Sequence, residues 1–142
     1  MANFIPDNTR NIALGTGTRI VWTSTTDTFK AMFVDHADDT PTTADDFIDD
    51  IASAARVPAL GSCPTLGSKT VGVVGVGIAD CADITFTALT GDQSESLIFF
   101  KDTGTESTSA LLVRYDTATG LPLTPSGGDV TVVIAAGGYV TT

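Results

Sequence analysis

Basic side chains are scarce in this chain. Seven Lys and Arg stand against seventeen Asp and Glu, a net charge of −10. Such a surface repels phosphate backbones, and no local cluster of Lys and Arg offsets it, so no nucleic-acid partner is expected. Histidine is almost missing: His36 stands alone in an acidic stretch, with no Ser or Cys beside it in sequence suited to nucleophilic catalysis. Cys63 and Cys81 are too few for a tetrahedral metal site. They read as two free thiols, with a disulfide between them as the alternative. No stretch approaches the roughly 20 apolar residues of a membrane span, and the N-terminus lacks a basic-then-apolar signal pattern. The expectation is a chain with no catalytic residue, no cofactor, no metal and no membrane partner.

What is present is β-forming sequence. The 142 residues, 42% of them apolar, suffice for one domain with a core. Residues 96–134 carry the clearest pattern: three apolar runs, 97–101 (LIFFK), 111–115 (LLVRY) and 130–134 (VTVVI), separated by Asp, Gly, Pro and Thr. Short β-branched and aromatic runs between turn-formers predict consecutive antiparallel strands. Leu97 and Phe99 alternate with Ile98 and Phe100, so both faces of the first run are apolar and it reads as a central strand. In the second, Leu112 and Arg114 share a face, which predicts one wet side.

In chain order, residues 1–17 have no period and form an N-terminal arm ahead of a domain at 18–142. The arm mixes Phe4, Ile5, Ile12 and Leu14 with Arg10 and several Asn, a combination suited to packing on a partner, and these five are the candidate partner-binding residues. Its removal is expected to spare the fold. Residues 18–24 and 28–34 predict a hairpin, with Trp22 as a core or interface anchor. Residues 43–55 (TADDFIDDIASAA) predict one short α-helix, capped by Thr43 and striped by Phe47, Ile48 and Ile51. Residues 83–89 (DITFTAL) alternate, with Ile84, Phe86 and Ala88 inward. Gly91 and Asp92 turn the chain into the central strand, and the tail at 137–142 adds a short strand through Tyr139 and Val140.

Two patterns invite ligand readings. The aspartates between Asp35 and Asp50 suggest calcium, but they lack the spacing, central Gly and final Glu of an EF-hand, and read as a solvated acidic face. The GVVGVG run at 72–77 lacks the G-x-G-x-x-G order of a nucleotide loop, and reads as a strand with a bulge or a close backbone approach.

The series Asp83-x-Thr-Phe86, Thr90-Gly-Asp92, Leu97-Ile-Phe-Phe-Lys-Asp-Thr-Gly104, Leu111-Leu-Val-x-Tyr-Asp116, Thr119-Gly-Leu-Pro122 and Gly127-Gly-Asp-Val-Thr131 resembles a family of small tailed-bacteriophage virion structural proteins. Residues 29–35 (FKAMFVD), 46–51 (DFIDDI) and 55–57 (ARV) fit its opening, so the resemblance spans about 20–134. It implies an all-β antiparallel β-sandwich; eight or nine strands are expected, with Trp22, Phe33, Phe86, Phe99, Leu111 and Val132 in the core. It also implies a non-enzymatic capsid decoration or cement protein, assembled in the host cytoplasm and located in the virion. The partners implied are the major capsid protein or other virion proteins, with a dimer or trimer of the chain itself. The alternatives are a neck, tail or fibre component, or a receptor- or glycan-binding module.

Overall fold

The computed structural model describes residues 3–7, 9, 20–72 and 79–135. Eight strands occur among them: β1 Thr28–Val34, β2 Arg56–Val57, β3 Thr70–Val71, β4 Ala79–Asp80, β5 Ile84–Phe86, β6 Ser96–Asp102, β7 Leu111–Tyr115 and β8 Val130–Val132. The named helical segments are 3-10 turns of three residues, so the fold is all-β. A four-stranded antiparallel sheet runs in the order β2-β1-β6-β7, and two further antiparallel pairs are β3-β4 and β5-β8.

β6 is the central strand that its two apolar faces predict. Leu97 and Phe99 join one core with Phe29, Phe33, Ile84, Phe86 and Trp22, while Ile98 and Phe100 join a second with Met32, Val34, Ile48 and Ile51. The sheet therefore separates two cores, and side-chain alternation along β1 and β6 feeds both. Trp22 anchors the first: its ring lies 5.0 Å from that of Phe29, and its Nε1–H donates to the Asp80 carbonyl at 3.0 Å. Of the expected core residues, Trp22, Phe33, Phe86, Phe99 and Leu111 are buried, and Val132 is partly buried. Gly91 makes the turn toward β6 at φ +133, where a Cβ would meet the Val57 side chain at 3.1 Å. Only glycine accepts both conditions.

Residues 43–55 are not an α-helix but contain two turns, Ile48–Asp50 and Ser53–Ala55. Aspartate side chains take the backbone donors that a helix would use. Asp50 Oδ2 accepts from Asp46 and Phe47, and Asp39 Oδ2 accepts from Ala52. The segment's own backbone is drawn to β7 instead, with Leu111 N–H donating to Asp46 and Ile48 N–H to Ser109. The apolar spacing still governs burial, since Ile48, Ile51 and Ala55 are all fully buried. Arg56 fastens the turn by donating to the Ile48 and Ile51 carbonyls at 2.9 and 2.7 Å.

Four other expectations change. Residues 20–24 form turns rather than a strand facing β1, while 18 and 19 lie outside the described residues. The third apolar run pairs with β5, not with β7. Ala88, at φ +47, is exposed, and Leu89 takes the inward place because the chain turns after Phe86. The register of β6 on β7 shifts between Phe99 and Phe100, so Leu111 serves one core while Leu112 and Val113 both serve the other. Arg114 does not face water: it is 1% exposed. The glycines at 75 and 77 and the strand expected through Tyr139 and Val140 lie outside the described residues.

Candidate interaction surface

The described part of the N-terminal arm lies on its own domain. Phe4 and Arg114 form an antiparallel bridge along the outer edge of β7, with Phe4 N–H to Arg114 O at 3.1 Å and Arg114 N–H to Phe4 O at 2.9 Å. Asn3 Oδ1 accepts from the Asp116 and Thr117 amides at 2.8 and 3.0 Å, and Thr9 Oγ1 donates to the Leu111 carbonyl. Ile5 packs against the first core. Of the five candidate arm residues, Phe4 and Ile5 thus cover β7 in cis, and Arg10, Ile12 and Leu14 lie outside the described residues.

This docking hides a buried cation. Arg114 donates from Nη1 to the Pro41 carbonyl at 2.7 Å and from Nη2 to Asp116, while Phe4 stacks 4.5 Å from its Cζ. Pairing, hydrogen bonds and an aromatic face together offset the cost of removing the charge from water.

Among the described residues, side chains capable of chemistry meet at a His–Ser contact and at a group of three aspartates. His36 Nε2 lies 2.9 Å from Ser96 Oγ, and the His36 amide donates to Glu95 Oε2 at 2.8 Å. Ser96 is fully buried, and His36 is partly exposed. Asp35, Asp38 and Asp92 bring carboxylate oxygens within 4.8 Å of one another, a donor type that hard cations take. Asp35 Oδ1 already accepts the Ala37 amide at 2.7 Å, and Asp38 and Asp92 are exposed. Sequence spacing missed this convergence because Asp92 arrives from a turn 57 positions after Asp35. Cys63 and Cys81 are both free and buried, in different cores, so the disulfide alternative falls.

One surface feature had no signal in the sequence. A groove of about 550 Å³ runs between the turn containing Gly120 and Leu121 and the four residues Val130 to Val133, over a floor of Phe33 and Leu97. A smaller hollow of about 190 Å³ adjoins it, sharing Leu97, Val132 and Val133 and reaching Phe99 and Tyr115. Every lining side chain is uncharged. The run VTVVI marked a strand, but what lies beside a strand depends on pairings that local sequence does not encode.

No protein-family model matches the chain, and no curated protein matches it. The resemblance to virion proteins therefore rests on the motifs quoted above.

Proposed function

We propose that this chain is a non-enzymatic structural subunit of a tailed-phage particle, with a capsid decoration or cement role as the first reading. The observation that carries this is the motif series across residues 20–134. Its members fall on β5, β6, β7, the Gly120 turn and the entry to β8, which are the parts that form the frame. In this reading the four-stranded sheet and the β5-β8 pair facing it are the two layers of a β-sandwich. The domain acts in the virion after assembly in the host cytoplasm, as a dimer or trimer bound to the major capsid protein or another virion protein.

The chemistry is consistent with a passive role. Many polar contacts hold turns, and the serine of the Ser–His contact is buried. A glycan-binding module would present aromatic rings in its loops, whereas the exposed large apolar residues described are Val21, Val71 and Val133. A neck or tail position remains the second reading, because the motif series marks virion proteins rather than one site in the particle.

The test is addition in trans. Purified chain is mixed with particles of its own phage that lack it, then scored for binding and for genome release on heating. A cement protein binds to saturation and raises the release temperature. Failure to bind any particle overturns the reading.

A further inference from the structure

Asp35 is a buried carboxylate with no counter-charge. It is 6% exposed at the exit of β1, and its side chain accepts one hydrogen bond, from the Ala37 amide to Oδ1. Among the described residues, Oδ2 accepts no hydrogen bond, and no Lys or Arg pairs with either oxygen. The Asp102 and Asp116 carboxylates, 17% and 5% exposed, are by contrast answered by Lys30 and Arg114. A carboxylate withdrawn from water is costly unless it is paired or holds a metal. What converges on Asp35 is more negative charge, because Asp38 and Asp92 bring carboxylate oxygens within 4.8 Å. No ion pair among the described residues reaches those two either. Three like charges held this close repel one another, and a bound cation removes the repulsion.

The fold holds the three in place. The Asp39 amide donates to the Asp35 carbonyl at 3.1 Å, which turns the chain back and returns Asp38 to Asp35. β1 and β6 pair at Val34 and Ser96, so the turn ahead of β6 stands beside the exit of β1. Gly91, seated against Val57, delivers Asp92 into that turn. Donor type selects the occupant. Three carboxylates with no nitrogen or sulfur among them suit a hard cation rather than zinc or copper. Calcium takes oxygens at about 2.3–2.6 Å, so oxygens up to about 5 Å apart can share one ion. Its large shell leaves positions for water on the exposed side, at Asp38 and Asp92. Magnesium demands a tighter, near-octahedral shell. We propose that Asp35, Asp38 and Asp92 bind one calcium ion, which ties the exit of β1 to the turn entering β6. The inference stands whether or not the chain belongs to a virion.

The probe is calcium chloride, titrated into the chelator-treated full chain labelled with ¹⁵N, at about 0.15 M salt to screen diffuse attraction. One-site binding is expected, with saturable amide shifts at residues 35–39 and 91–95 and a raised urea midpoint. Asp38→Asn and Asp92→Asn change exposed side chains and should fold normally. Each should bind calcium at least about 10-fold more weakly, since ligand charge sets the affinity. Asp49→Asn alters an exposed aspartate outside the group and should bind as the unaltered chain does. Asp35→Asn should abolish binding, and if that variant does not fold, the two exposed variants carry the same test. Magnesium chloride should bind at least about 10-fold more weakly than calcium. Absence of shifts at millimolar calcium overturns the site. Shifts centred on residues 45–50 overturn it as well, by making the ion a diffuse counter-ion. Unchanged affinity in Asp92→Asn removes the convergence on which the site rests. Equal affinity for magnesium overturns the assignment to calcium.

Discussion

Phe4 and Arg114 are joined twice, by two backbone hydrogen bonds between their main chains and by the Phe4 ring standing 4.5 Å from the guanidinium carbon. The first residues of the chain thereby cover a charge on β7 that is about 110 positions away. Phe4→Ala removes ring burial and the cation–π contact, and should cost about 1–3 kcal/mol. Amide exchange at Arg114 should quicken. Urea denaturation checks the first effect and exchange the second; an unchanged midpoint would mean the arm does not support the domain.

Replacing Asp116 by Asn leaves Arg114 charged and buried. Breaking one side of a buried pair costs on the order of 3–5 kcal/mol. The exposed Arg56–Glu106 partner offers the contrast, and Glu106→Gln should change little. Equal effects from the two substitutions would contradict the assignment of burial.

Acid should act in two stages. Burial, then Arg114, holds His36 below its ordinary 6.5, against the pull of Glu95, Asp116 and Asp35. The unfolded chain therefore takes the proton first, so stability is steady above 6.5 and falls as pH drops from there toward the folded value. Asp102 is lowered from 3.8 chiefly by its hydrogen bond from Lys30. For Asp116, burial pushes upward, but the Thr117 and Arg114 contacts win and the carboxyl is also lowered. What these two contribute is present above 3.8 and lost as pH falls through their folded values. In denaturation curves across pH, His36→Gln should erase the upper stage and keep the lower. Retention of both stages would assign the upper one elsewhere.

Central burial was legible because β6 carries apolar residues on both faces, and Leu97, Ile98, Phe99 and Phe100 needed no partner to declare it. Phe99→Ala should accordingly cost about 3–5 kcal/mol in equilibrium unfolding, and a cost below about 1 kcal/mol would remove it from the core. The helix at 43–55 failed for a reason equally physical. Its periodicity described which residues are buried, while Asp39, Asp50 and the β7 edge decided the backbone. The buried Arg114 was unreadable, since its neighbours Pro41, Asp116 and Phe4 come from three separate parts of the chain. The groove was hidden likewise, because it exists only once β8 leaves β7 for β5.

Both thiols should be inert in the folded chain. Burial pushes Cys63 up to about 12 and Cys81 up to about 11, so neither is a thiolate near neutrality. A thiol reagent should modify them only after denaturant is added, and rapid labelling of either in the native protein would contradict its placement.

The virion reading is tested most directly by counting. Quantitative mass spectrometry of purified particles, scaled to the major capsid protein, gives the copy number of this chain. The account expects hundreds of copies per particle, as decoration of a whole shell requires. A count near six or twelve would move the protein to the neck or tail, and absence from the purified particle would contradict the account.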